Sequence, residues 1–280
     1  MSEISAVAVR KLREKTGLPM MDCKSALSES GGDETKAIEL LRKRGAALLG
    51  GRSNRETAFG RYGIYCGSDK NSGAIVELKC ESAPVAGSAE FIQLANDLAQ
   101  QLATGPGAKT ADELLDQPSP SKKGMTLREQ KDEMFNRIRE VFNVGRMKRL
   151  SGATGGYSHN SGTVAGVLLA ITGGNDALAK DICMHIAAMR PAALKKEQVP
   201  PEVVDKEREI LRAAALGEGK PANIVDKMVE GRLKNFFAER VLLEQPFVKD
   251  DKQTVGAIAA QNQMEIREFV HWELGESVEN

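Results

Sequence analysis

Residues 71–102, NSGAIVELKCESAPVAGSAEFIQLANDLAQQL, constrain the fold of this chain more than any other stretch. Ala74, Ile75, Val76 and Leu78 form a β-branched and apolar run that predicts a strand. Phe91, Leu94, Ala95, Leu98 and Leu102 then recur at helical spacing, so one face of a helix has to be covered. Between them, Ser82-Ala83-Pro84-Val85 continues neither element. Pro84 has no backbone N–H for a sheet ladder and biases Ala83 away from the helical region. The expectation is an irregular loop, carried on a rigid strand and helix, that turns its side chains outward for contact.

The unit has an echo further on. Asn71-Ser72-Gly73 before AIVEL recurs as Asn160-Ser161-Gly162 before TVAGVLL, and helix-like runs follow both, over 91–103 and 176–189. A common turn tripeptide before any strand would give the first coincidence, but not the matching order of elements after it. The reading is a duplicated strand–helix unit.

Around this core the pattern is helical. Ile4, Ala8, Val9 and Leu12 form an apolar stripe that ends at Thr16-Gly17, and a second helix runs from Met20 to Leu27 with Pro19 near its start. After Gly31-Gly32, Asp33 sits where an N-cap belongs, and Ala37, Ile38, Leu40 and Leu41 face inward until Gly45 stops the third helix. Residues 46–58 lack periodicity and read as a linker with solvated basic residues. A loop over 104–123 carries one short helical piece near Glu113-Leu114-Leu115, and an amphipathic helix is expected over 126–144. Two charged helical runs, 203–216 and 223–243, are joined by Gly217-Glu218-Gly219-Lys220-Pro221 as an antiparallel hairpin. Over 265–274, Ile266, Val270, Trp272 and Leu274 share one face of a returning strand.

No catalytic constellation emerges. Asp181 and His185 would share a helix face, a spacing that suits an acid–base pair or two metal ligands, but no further histidine or cysteine completes a site. A half-buried or interface histidine is the plainer reading. Cys23, Cys66, Cys80 and Cys183 lie far apart without a CxxC pair, so free thiols in a reducing compartment are expected. Cys80 or Cys183 as a nucleophile defines a rival enzyme class that lacks an evident base. With 39 basic and 39 acidic residues the formal charge is zero, which counts against direct nucleic-acid binding and favours a protein partner. Residues 1–10 lack a long apolar stretch, and no run of apolar residues is long enough for a bilayer, so a soluble, cytoplasmic protein without membrane contact is expected.

Several longer motifs carry a resemblance. LREKTG at 12–17, MMDCKSAL at 20–27, Gly32-Asp33 and AIELLRKRG at 37–45 are followed by DICMHIAAM at 181–189, VEGRL at 229–233 with Phe236-Phe237, and LLEQPFVKD at 242–250. Together they resemble the bacterial elongation factor Ts family over nearly the whole chain. The resemblance implies an α+β fold: a ubiquitin-associated-like (UBA-like) three-helix module over 1–50, a linker over 51–58, duplicated core halves over 59–149 and 150–200 with antiparallel sheets, a helical hairpin insertion over 201–245, and a closing segment over 246–280. It implies guanine-nucleotide exchange on elongation factor Tu, in GDP-bound and nucleotide-free forms, with no bond chemistry and no cofactor; a homodimer stays open. It also implies partner contacts at Leu12, Arg13, Met20, Met21 and His185, the last facing outward near the partner's nucleotide site. The residues alone leave Met20 and Met21 open between core and adaptable docking surface.

One departure stands out. In the family, the residues after the Cys-Glu pair are typically Thr-Asp-Phe-Val, whose acid and aromatic ring intrude beside the partner's nucleotide and dislodge Mg²⁺. Here Cys80-Glu81 is followed by Ser82, Ala83, Pro84 and Val85. The resemblance makes these four the Mg²⁺-dislocation loop, without the charge or the ring. A rival of a different class is a protein that docks on Tu as a stabiliser without speeding exchange.

Overall fold

The computed structural model describes residues 4–52, 54–218 and 221–276. They divide into two compact units, one of residues 4–63 and 76–148, the other of 64–75 and 149–276.

The first unit opens with three helices, α1 (Ala6–Thr16), α2 (Met20–Glu29) and α3 (Glu34–Gly50). Ser5 and Asp33 cap α1 and α3 through side-chain oxygens, and Gly17 ends α1 at φ 68°. Val9, Leu12, Leu18, Cys23, Ala26, Leu27, Ala37 and Leu41 form their core. Gly45 does not stop α3, which runs on to Gly50. The glycine serves packing instead: a Cβ there would lie 1.7 Å from Oδ1 of Asn136. The linker's arginines are also not free in solvent. Arg52 donates to the carbonyl of Arg139 at 2.7 Å, and Arg55 pairs with Glu81 at 3.0 Å.

Strands β1 (Phe59–Tyr65), β2 (Ser72–Cys80) and β3 (Asn143–Ser151) form a sheet in the order β1-β2-β3. After β2 come α4 (Ala83–Ala86), α5 (Ala89–Thr104), α6 (Ala111–Leu115) and α7 (Leu127–Ile138). The predicted helix over 126–144 begins on a capping box between Thr126 and Glu129, but it ends at Ile138 because Arg139 turns to φ 66°. Val141 and Phe142 lie beyond that end, and Phe142 meets Phe91 edge-on at 5.7 Å. Strand β2 is buried along almost its whole length, including Glu77. That carboxylate accepts from Tyr62 Oη at 2.9 Å and from Arg146 at 2.8 Å. Burial acts to raise its pKa, and the Arg146 hydrogen bonds outweigh burial and hold it below the usual carboxylate range.

The second unit repeats the plan. Strands β4 (Thr154–Ser161) and β5 (Thr163–Thr172) pair antiparallel from Thr154↔Ala170 to Ser161↔Thr163, and α8 (Asp176–Met189) follows, capped by Asn175. Duplication therefore holds, and each repeat is larger than predicted: two strands and a helix, with a later strand completing each sheet. The NSG tripeptides do not mark equivalent points. Gly162 is the φ 79° turn between β4 and β5, whereas Gly73 lies within β2.

Helices α9 (Pro201–Gly217) and α10 (Ala222–Arg240) form the expected hairpin, its core made of Ala215, Val225, Val229, Leu233 and Phe236 among others. Gly219 and Lys220 of the expected turn lie outside the described residues. Helix α10 stops three residues before the predicted 243, because Val241 turns to φ −111° and bridges to Ala193. A hairpin of β6 (Pro246–Phe247) and β7 (Asp250–Thr254), the helix α11 (Val255–Gln261) and the strand β8 (Glu265–Glu273) complete the unit in a sheet ordered β4-β5-β8.

Strand β8 is where predicted, but its faces are not. A register shift opposite Ala170 and Ile171 pairs Ala170 with Glu268 and Ile171 with Ile266. This bulge at Arg267 inverts the alternation, so Ile266 shares the core with Phe269 rather than with Val270 and Trp272.

Candidate functional site

The stretch after β2 is not irregular. Ala83, Pro84, Val85 and Ala86 form one helical turn, with Pro84 in the first turn where its missing N–H has no partner to lose. The bias of Pro84 against a helical Ala83 is thus overridden at this position. Ala83 and Pro84 are exposed, and Ser82 and Val85 half-buried. The turn closes through Gly87, whose N–H donates to Ala83, and Ser88 then caps α5 by accepting from Phe91 N–H at 3.3 Å. A buried strand therefore ends in an exposed apolar step before the next helix begins.

Two carboxylates hold the base of this step. Glu140 accepts from Ser82 N–H at 3.1 Å and from the Ser82 hydroxyl at 2.6 Å. Glu81 accepts from Val141 N–H at 2.8 Å and from Arg55. Burial acts to raise Glu81, but the Val141 and Arg55 hydrogen bonds hold it below the usual carboxylate range. Glu140 and Arg139 gave no signal in the sequence, because a charged pair within the helix expected over 126–144 reads as its solvated face. The arginine's left-handed backbone has no signal in a residue type that seldom adopts it.

The other predicted site residues separate into two kinds. Met20 and Met21, at the head of α2, are 47% and 71% exposed, and Arg13 is exposed on α1. Leu12 is 1% exposed and belongs to the three-helix core rather than to the surface that Arg13, Met20 and Met21 present. His185 is likewise 0% exposed and does not face outward. Its Nε2 lies 2.9 Å from Gln245 Oε1, and Val248 N–H donates to its Nδ1 at 3.3 Å. These partners fix a neutral ring with the proton on Nε2, and Phe247 packs 5.8 Å from it. Burial lowers its pKa, against the opposing Gln245 hydrogen bond. Asp181, the other half of the helix-face pair, instead binds Lys249 at 2.6 Å. The acid–base pair suggested by spacing is not formed.

Cys80 and Cys183 are poor nucleophiles. Burial pushes Cys80 up to about 11, and burial also raises Cys183 well above the ordinary thiol range, so both stay protonated near neutral pH. Among the described residues, no group of three or more histidine, cysteine or acidic side chains could hold a metal ion, and no helix is long and apolar enough to cross a membrane.

A family model described as "Elongation factor TS" matches residues 81–276. The protein named "Elongation factor Ts" from Methylococcus capsulatus is 44% identical over 277 residues, covering 99% of this chain and 94% of that protein. Its namesake from Thioalkalivibrio sulfidiphilus is 42% identical over 280 residues, and one from Clostridium botulinum 40% over 290, each with the same coverage. With the match running through both units and the exposed step at 82–86 lying inside it, this chain belongs to the elongation factor Ts family.

Proposed function

We propose that this protein promotes guanine-nucleotide exchange on elongation factor Tu, binding the GDP form, loosening Mg²⁺ and phosphate, and retaining the nucleotide-free partner. The observation that supports this most is the exposed turn of Ala83 and Pro84 at the end of buried β2, at the position that the family resemblance assigns to Mg²⁺ dislocation. An exchange factor has to bind the empty partner more tightly than the GDP-bound one, and linkage makes that weakening mutual. Each decade needs about 1.4 kcal/mol of differential contact. An apolar turn on a rigid strand supplies such contact without reorganising, while Arg13, Met20 and Met21 supply docking area. The residue 1–50 module acts in docking, the protein works in the cytoplasm, and no nucleic acid is bound directly.

The test is release of fluorescent GDP from purified Tu at rising concentrations of this protein. Acceleration that saturates is the expected result. The small side chains of Ala83 and Pro84 also favour a second reading, docking without exchange. Stable co-purification with Tu and an unchanged release rate would establish it in place of the first.

A further inference from the structure

We propose that Arg139 and Glu140 are positioning residues that hold the Met20–Met21 surface and the residue 82–85 turn in one fixed arrangement, so that a partner meets both together. The proposal rests on the exchange reading above and adds to it the device that makes two separate contact points act as one.

Helix α7 ends at Ile138, and Arg139 takes a left-handed backbone at φ 66°, its N–H donating to Phe135 at 2.7 Å. Its other groups reach two further parts of the chain. Its Nη2 donates to Asp22 Oδ2 at 2.8 Å, and its carbonyl accepts from Arg52 at 2.7 Å. Asp22 lies in the first turn of α2, directly after Met20 and Met21.

Glu140 faces the other contact point. Its two carboxylate oxygens take the N–H and the hydroxyl of Ser82, while Val141 N–H returns to Glu81. Residues 81–82 and 140–141 thus exchange carboxylate–amide hydrogen bonds in both directions. Ser82 occupies the N-cap of α4, where a serine hydroxyl ordinarily accepts from the helix, yet it makes no capping bond. Its hydroxyl is donated to Glu140 instead, so the turn is anchored from outside. The chain Met21, Asp22, Arg139, Glu140, Ser82 is continuous, made of charge-assisted hydrogen bonds and peptide links. Holding two contact points in their bound geometry removes the ordering cost from the encounter and raises the effective concentration of the second contact.

The test follows GDP release from a bacterial elongation factor Tu by stopped flow, with the full chain and with variants checked for folding by circular dichroism and thermal melting. Glu140→Ala should lower the saturated rate about tenfold, as expected for loss of hydrogen bonds to a charged group. Glu140→Gln, which keeps an acceptor oxygen, should restore part of it. Arg139→Ala should mainly raise the concentration for half-maximal release. Met21→Ala and Pro84→Ala should be coupled in the wild-type chain and additive in the Arg139→Ala background. Ser82→Ala reaches the same link by deleting one hydroxyl, and should have little further effect once Glu140 is alanine. If Glu140→Ala does not fold, Ser82→Ala with the coupling experiment decides. Folded variants that leave the saturated rate and the coupling unchanged, against an active wild type, overturn the positioning role alone. A wild type that does not accelerate release overturns the exchange reading, and the role with it.

Discussion

The two repeats of the core leave their second strand in opposite ways. In the first, residues 81–87 separate β2 from the cap of α5 and include the exposed turn α4. In the second, β5 reaches the Asn175 cap of α8 through Gly173 and Gly174 alone, both at φ 72°. A Cβ on Gly173 would stand 2.1 Å from the carbonyl oxygen of Gln263, so this connection is pressed against its own unit. One repeat uses its strand–helix junction to present a surface and the other uses it to close the fold. Substitutions at the first should change partner behaviour, and substitutions around the second should change stability.

What both repeats share should give the largest effect. In each, a glycine on the first strand lets the helix approach: a Cβ on Gly63 would lie 1.8 Å from the carbonyl oxygen of Ala95, and one on Gly155 would lie 2.6 Å from the Ala179 Cβ. Gly63→Ala pushes backbone against backbone and should destabilise by about 3 kcal/mol or more. Gly155→Ala meets a methyl group, which should cost about 1–2 kcal/mol and be relieved by adding Ala179→Gly. Urea unfolding of the three variants checks this. Equal costs, or no relief from Ala179→Gly, would show that the helices do not rest on these glycines.

His185 comes next and separates burial from docking. Removing its ring opens a cavity in the core and leaves buried Gln245, and the part-buried Val248 N–H, without their partner, so His185→Ala should lower stability by about 2–3 kcal/mol. The pH dependence has a definite sign. Burial holds the folded-state pKa below the ordinary 6.5, so the unfolded chain binds the proton more readily. The histidine's contribution is complete above pH 6.5 and is lost as pH falls through the folded pKa. Urea midpoints at pH 5.5 and 7.5 should therefore differ less in His185→Ala than in the wild type. An unchanged midpoint at pH 7.5 would place the imidazole outside the core.

The strand 72–80 and the helices over 89–104 and 176–189 were legible in the sequence because apolar periodicity and burial coincide there. Strand β4 was not, since TGGYSHNS has little β preference and is held in place by pairing with β5 and by the glycine under α8. The faces of β8 were misread because one bulge at Arg267 inverts all that follows. Leu12 and His185 illustrate a different limit. Both fall in motifs that the family resemblance ties to the partner, but an amphipathic helix has two faces, and a motif does not state which face its residue occupies. Arg139 and Glu140 were illegible for a further reason: their partners lie at residues 22, 52 and 82, far away in sequence.

The smallest expected change in stability falls on the exposed turn, which should give the clearest change in function. In Ala83→Asp with Pro84→Phe, both positions are solvent-exposed, and an acid in the first turn of a helix is favourable rather than costly. Stability should move by no more than about 0.5 kcal/mol. The substitution restores the charge and ring that the family typically carries at this step, and an aromatic side chain seated in a partner's pocket is commonly worth about 2 kcal/mol. Release of fluorescent GDP should therefore quicken with a typical bacterial elongation factor Tu. The cognate Tu supplies the control that interprets this gain. If release slows only with the cognate partner, its pocket has adapted to the small Ala83 and Pro84 side chains. If neither rate moves while Met21→Ala does change exchange, the side chains of the step at 82–86 are not the effector, and the contrast between the two strand–helix junctions carries no functional meaning.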